Sequence, residues 1–189
     1  MKNHIGAISD YMERFASALK GMDKGEINNF INLLEKARED GKQIFVMGNG
    51  GSASTASHFV CDFNKGVSFP SGKKRYKFIC LNDSMSTLSA YANDVAYESA
   101  FEELLKNYFQ SGDVVIGISG SGNSKNVLRA IEYANANGGV TVGITGYDGG
   151  ALKKIASHSV NTNVNDMQIT EDIHMLLDHL SMSVIRDAE

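Results

Sequence analysis

The sequence predicts a three-layer α/β fold: a doubly wound, five-stranded parallel sheet in the order 2-1-3-4-5, preceded by a helical arm. Three observations predict it. Short apolar runs alternate with helix-period patterns from residue 42 onward, the signature of a parallel sheet covered on both faces. Right-handed crossovers leave few topologies for five such strands, and 2-1-3-4-5 is a common one. Two turns rich in glycine and serine follow the first and third runs, which in that order flank the point where the winding reverses.

The elements can be justified in turn. Ile8, Met12, Phe15, Ala16 and Leu19 recur at three- and four-residue steps and predict a first helix. The run GMDKGE breaks it, and Ile27, Phe30, Ile31, Leu34 and Ala37 predict a second, closed by Asp40 and Gly41. Both precede any strand, so residues 1–41 read as an arm that caps the sheet or packs on another subunit, and residues 42–189 as the α/β domain. The strands are QIFVM (43–47), KFICL (77–81), DVVIGIS (113–119), VTVGIT (140–145) and, more weakly, HSVNTNV (158–164). Helical patterns cover 53–65, 94–109, 123–137, 149–156 and roughly 167–186. On the last, Ile173, Leu176, Leu177, Leu180 and Val184 form the expected core stripe, which leaves Glu171, His174, Met175, Asp178 and His179 away from it.

Composition narrows the function. The chain has 189 residues, 42% hydrophobic and 21% charged, which suits one soluble domain with an appendage. A formal net charge of −4 gives no global basic field for nucleic acid or anionic membrane. The basic run GKKRYK (72–77) reads as a solvated loop. Cys61 and Cys80 follow neither zinc spacing nor a disulfide framework. With no secretory leader pattern and no long apolar span, the expected location is the cytoplasm.

The two glycine-serine turns, GNGGS (48–52) and SGSGNS (119–124), carry the functional signal. Each feeds a helix N-terminus, where unpaired N–H groups and the positive end of the helix dipole favour an anion. A phosphate is the natural occupant. Gly48, Gly50 and Gly51 let the first turn approach it. Ser119, Ser121, Asn123 and Ser124 supply donors in the second. Neither turn is a nucleotide P-loop, which needs a lysine, nor a G-x-G-x-x-G dinucleotide fingerprint. GYDGG (146–150) is read as a third turn that only precedes a helix.

GNGGSASTASHF, the AND at 92–94, GDVVIGISGSGNSKNV and GITGYDGG together resemble the sugar isomerase (SIS) domain family, and within it the phosphoheptose isomerases. The likeness runs in order from about residue 5 to the C-terminus. It implies a homotetramer assembled through the N-terminal helices, a sugar-phosphate substrate and, as in many members, zinc or another divalent metal. It implies the ketose–aldose conversion of sedoheptulose 7-phosphate to D-glycero-D-manno-heptose 7-phosphate. By position, the resemblance places substrate and phosphate contacts at Asn49, Gly50, Gly51, Ser52, Asp94, Ser119, Gly120, Ser121 and Ser124. It places metal ligands at His58, Asp62, Glu171 and His179, with Asp62, Glu171 and His179 also catalytic. The sequence departs from the family pattern at Asp62, where the isomerases carry glutamate, at Glu171, where many have glutamine, and at Ala92 and Gly120.

Spacing alone supports part of this set. His58 and Asp62, at i and i+4, share a helical face, as zinc ligands or as a surface pair. On the last helix, spacing alone favours His174 with Asp178, while the resemblance favours Glu171 with His179; the first pair stays as a rival. His4 and His158 read as surface residues. The implied chemistry is proton transfer between adjacent carbons, with Asp62 or Glu171 as base and His179 as acid. A SIS protein that only binds a phosphosugar or a partner, and an isomerase of another sugar phosphate, are the alternatives.

Overall fold

A strand that is apolar on both faces needs a layer on each side, and the chain provides the two layers from opposite groups of helices. The structure is a computed structural model that describes residues 2–69 and 72–188. Strands β1 (Ile44–Gly48), β2 (Phe78–Cys80), β3 (Val114–Ser119), β4 (Val140–Thr145) and β5 (His158–Asn161) form one sheet in the order β2-β1-β3-β4-β5. Every pairing is parallel. This is the predicted topology. The fifth strand pairs over fewer residues than its apolar pattern suggested.

Alternation along β1 sorts the core into two halves. Ile44 and Val46 face a cluster with Phe30 and Leu34 of α2 (Lys24–Asp40), Phe59 of α3 (Gly51–Cys61), and Ile173 and Leu177 of α8 (Met167–Asp187). Phe45 and Met47 face the other way, onto Phe101 and Leu105 of α5 (Ala100–Lys106), Val127 and Ile131 of α6 (Lys125–Ala136) and Leu152 of α7 (Gly150–Ile155). Of the first 41 residues, α2 is thus part of the core layer. Helix α1 (Ile5–Lys20) buries no residue completely. It rests on α8 through the Tyr11 hydroxyl, which donates to Asp172 at 2.5 Å, and through Arg14, which pairs with Asp166. Asp166 is itself the N-cap of α8, accepting from the backbone N–H of Gln168 and Ile169.

Three features differ from the sequence-based expectation. A helix α4 (Met85–Tyr91) lies where none was anticipated; it buries no residue completely, so no apolar stripe announces it. The pattern at 94–109 is broken: a π-helical turn spans Ala92–Ala96 and a 3-10 turn Tyr97–Ser99 before α5 begins. A second π-helical turn, Asp62–Val67, continues α3. The third difference is the roll of α8. Its buried face holds Ile169, Ile173, His174, Leu177, Asp178, Ser181 and Ile185, while Val184 is exposed. The expected stripe covered one neighbour, but α8 packs against α1, α2, α3 and β4 together. That wider contact turns His174 and Asp178 inward, where a binary pattern would have left them in solvent.

The basic run is not a free patch. Lys74 and Lys77 donate to the backbone carbonyls of Glu39 and Gly41 at the end of α2, and Tyr76 is buried beneath Arg38.

The turns after β3 and β4 are clamped together at Gly122. It has φ of +66°, and a Cβ there would lie 2.1 Å from the carbonyl oxygen of Gly149. Its own carbonyl accepts from the N–H of Leu152 at 2.9 Å. Gly122→Ala therefore combines a left-handed backbone with a clash that only backbone movement relieves. It is expected to cost about 3 kcal/mol of stability, read as a lowered midpoint in urea unfolding.

Candidate functional site

The winding reverses between β1 and β3, so the turns after these two strands face one another. In the first turn, α3 passes so closely over the end of β1 that a Cβ on Gly48 would lie 2.7 Å from backbone and side-chain atoms of Ser52. That approach explains the bare backbone. In the second turn, the hydroxyls of Ser119 and Ser124 lie 3.0 Å apart, and Ser121 Oγ accepts from the N–H of Asn123. Together the turns line a crevice of about 130 Å³, with Asn49, Ser52, Ser119, Gly120, Ser121 and Ser124 on its walls and Met167 and Glu171 from α8 closing it. The crevice therefore brings together most of the residues expected to hold phosphate. Gly50 and Gly51 open α3 beside it.

Three expected residues sit differently from their expected roles. The side chain of Asn49 is occupied by hydrogen bonds to Asn126 and Tyr97, so its amide is committed within the protein. Asp94 is exposed on the π-helical turn at 92–96, accepts from the amide of Asn93 at 2.8 Å, and is not among the crevice walls. The carboxylate of Glu171 lies over Gly51: a Cβ there would meet its Oε2 at 2.5 Å. Glu171 thus stands at the N-terminus of α3, where the helix dipole favours negative charge.

A second group of donors gathers farther along the seam between α3 and α8. His58 Nε2 and His179 Nε2 are 3.0 Å apart. Asp62 Oδ2 lies 3.6 Å from the first and 3.8 Å from the second. Asp178 completes the group, with one donor atom from each of the four residues within 4.8 Å of all the others. Glu171, which the resemblance places among the ligands, is not part of this group. Eight residues of helix separate Glu171 from His179, about 12 Å along the axis, whereas Asp178 is the residue next to His179. The rival pair is split as well: Asp178 belongs to the cluster, and His174 lies deeper in the core. Neither cysteine takes part: both are free thiols, and burial pushes that of Cys80 up to about 12.

Electrostatics single out Asp178. It is fully buried, and neither carboxylate oxygen has a hydrogen-bond partner. Burial, reinforced by the charge of Asp62, pushes its carboxyl up to about 8. His174 is also buried with neither ring nitrogen paired; burial lowers it to about 4, and the nearby Thr145 backbone opposes this only weakly. Unpaired oxygens on a buried carboxylate are costly unless a cation satisfies them. Two imidazole nitrogens and two carboxylates suit zinc or a similar divalent ion. The donor set thus fits a metal.

The residues missed from sequence are Asp178 as a member of the cluster, Asn126 and Tyr97. Spacing along the last helix pairs Asp178 with His174 alone. Asn126 stands two residues past Ser124, inside the same glycine-serine run, and could have been found there. Nothing in the sequence marks Tyr97.

Comparison with known proteins identifies the family and the fold. The profile of the SIS domain family matches residues 8–146. The chain is 38% identical over 180 residues to the phosphoheptose isomerase of Fusobacterium nucleatum, covering 93% of this chain and 91% of that protein. It is 34% identical over 170 residues to the phosphoheptose isomerase of Helicobacter pylori, covering 90% and 87%. The solved structure of phosphoheptose isomerase from Neisseria gonorrhoeae shares the fold, with a TM-score of 0.89 at 23% identity over 98% of this chain and 100% of that one.

The two buried ionisable groups predict how stability depends on pH without metal. Asp178 holds its proton more tightly folded than unfolded, so its contribution falls as pH rises from its ordinary value of 3.8 to about 8. His174 releases its proton more readily when folded, so its contribution rises between about 4 and its ordinary value of 6.5. The slopes offset one another below 6.5, and above it only Asp178 acts. Chelator-treated protein is expected to lose about 1 kcal/mol per pH unit between 6.5 and 8, and added zinc to abolish the loss, both measured by urea unfolding.

Proposed function

Because this chain belongs to the SIS domain family, we propose that it is an aldose–ketose isomerase of sugar phosphates, converting sedoheptulose 7-phosphate to D-glycero-D-manno-heptose 7-phosphate. One observation carries the reading: an anion-binding crevice and a cluster of His58, Asp62, Asp178 and His179 share one seam between α3 and α8. Both helices start at the crevice, where Glu171 meets Gly51, and both carry the cluster two turns further on, where His179 meets His58. A sugar phosphate anchored at one end extends its reacting end toward the other. Both relatives are named phosphoheptose isomerases, which supports a phosphoheptose as substrate.

The roles divide by position. The hydroxyls of Ser52, Ser119, Ser121 and Ser124, with the N–H groups around Gly50, Gly51 and Gly120, hold the phosphate and orient the chain. They form and break no bond to carbon. Asp62, still reachable from solvent, removes the proton from the carbon beside the carbonyl, and His179 exchanges the proton at the oxygen. Asp178, wholly buried, is the carboxylate suited to remain with a metal, which leaves Asp62 free to act as base. Zinc, or another divalent ion held by His58, Asp62, Asp178 and His179, supplies Lewis-acid polarisation of the sugar oxygens when bound. Glu171 sits at the phosphate end, two helical turns from the cluster, and in this reading takes no part in the proton transfer. The resemblance gives Asp94 a contact to the sugar; it is exposed on the π-helical turn at 92–96, three residues before Tyr97, whose hydroxyl bonds Asn49.

Assembly belongs to the same proposal. The side chains of His58 and His179 are 41% and 56% exposed, which leaves the reacting end open in one subunit. Ile5, Ile8 and Met12 form an exposed apolar stripe on α1. We read residues 1–41 as the segment through which a homotetramer forms, with a neighbouring subunit closing each site. Among the described residues no helix is long and apolar enough to cross a membrane, and a cytoplasmic location fits a phosphorylated substrate.

Zinc-loaded protein incubated with sedoheptulose 7-phosphate is expected to yield the aldose, detected by NMR. Asp62→Asn and His179→Ala should each lower kcat by about a hundredfold or more, with little change in KM. Phosphosugar binding without turnover would instead identify a sensor, and turnover of a shorter ketose phosphate alone would reassign the substrate.

A further inference from the structure

Asn49 sits in the first glycine turn, yet its amide is spent inside the protein. Its Nδ2 donates to Oδ1 of Asn126 at 2.9 Å, and its Oδ1 accepts both from Nδ2 of Asn126 at 2.9 Å and from the hydroxyl of Tyr97 at 2.6 Å. Asn126 is 3% exposed and lies in the first turn of α6, the helix fed by the second glycine-serine turn. Its Oδ1 also accepts from the N–H of Val127. The amide pair therefore joins the two anion-binding turns directly. Tyr97 is different: it is 48% exposed and follows a stretch, Met85–Ala96, in which neither α4 nor the π-helical turn buries a residue. Apart from the Tyr97 bond to Asn49, Glu98 pairs with Lys125 of α6 at 2.9 Å, an exposed pair of little weight.

We propose that Tyr97 is a positioning residue for phosphate binding: its hydroxyl locks the Asn49–Asn126 amide pair and so fixes the spacing and direction of the N–H groups in both turns. The inference rests on the reading of the crevice as a phosphate site. An amide oxygen holding two donors has its orientation determined; with one donor removed, the pair gains freedom and the backbone of Gly50 and Gly51 is aimed less well. The phosphate is gripped alike in the ground and transition states, so the loss appears in KM and not in kcat. The same hydroxyl tethers the segment that carries Asp94 to the rim of the crevice.

The test compares the full-length protein with Tyr97→Phe, which removes one oxygen from a half-exposed side chain. Inorganic phosphate is titrated calorimetrically, turnover of sedoheptulose 7-phosphate is measured separately, and stability is read by urea unfolding. The phosphate Kd and the KM are expected to rise together by about fivefold, with kcat and the unfolding midpoint unchanged. Asn126→Asp places a carboxylate oxygen against Oδ1 of Asn49 and should weaken phosphate binding further; in that background Tyr97→Phe should add nothing, since its partner is already displaced. Unchanged phosphate affinity in Tyr97→Phe overturns the proposal, as does a weaker affinity matched by an equal loss of folding stability, or fully additive effects in the double variant. If the wild type binds phosphate but turns over no sugar, the isomerase reading fails while this one is still decided by the phosphate titration. If the wild type binds no phosphate, the anion site and the proposal fall together.

Discussion

The adjacency of β1 and β3 is the constraint on which the rest of the molecule depends. Gly48 at the end of β1 stands in register with Ile118, one residue before the end of β3. Two turns that are separated by about seventy residues of chain are therefore held side by side by backbone hydrogen bonds in the middle of the sheet. Their helix N-termini converge without any lysine or arginine among the crevice walls. In the proposed reading, the anion is held there by fixed peptide dipoles, which need no reorganisation when it arrives. The amide pair of Asn49 and Asn126 adds a direct tie between the same two turns.

The second functional element is set by a different pair, α3 against α8. These helices run in the same direction from the crevice, so one end of the seam is suited to negative charge on a ligand and the other gathers histidines and carboxylates. The separation matters chemically. In the proposed reading, a phosphate beside the reacting carbons would compete for the same donors, and two helical turns would keep anchoring and proton transfer apart. The buried carboxyl of Asp178 lies at the second end with no partner of its own, an arrangement that a folded chain tolerates poorly unless a proton or a cation accompanies it.

The sheet and the crevice were legible in the sequence because both are written locally. Apolar runs bounded by glycine and serine report strands whatever the rest of the chain does, and the turn residues Ser119, Ser121 and Ser124 sit within one short segment. What escaped was decided by tertiary packing. The roll of α8 depends on four neighbours at once, so the inward turn of His174 and Asp178 could not be read from the spacing of leucines and isoleucines. The resemblance pairs Glu171 with His179, but eight residues of helix lie between them, and it is Asp178, adjacent to His179, that sits in the donor cluster. Helix α4 and the π-helical turns at 62–67 and 92–96 break the 3.6-residue period or lack a buried face, and period is the signal on which such reading relies. Both π-helical turns carry an aspartate that the resemblance had singled out, Asp62 and Asp94, in keeping with the tendency of such turns to occur at functional positions.

The contact between Gly51 and Glu171 joins two distant points of the chain into one heritable unit. The carboxylate occupies the volume that any side chain at 51 would need. A lineage that replaces the glycine must also retract or swing away residue 171, and one that enlarges residue 171 has no slack left at 51. The carboxylate is the free end of a flexible side chain, so a replacement at 51 would first be met by a swing of residue 171, and its cost among descendants of this protein would depend on where that carboxylate can go.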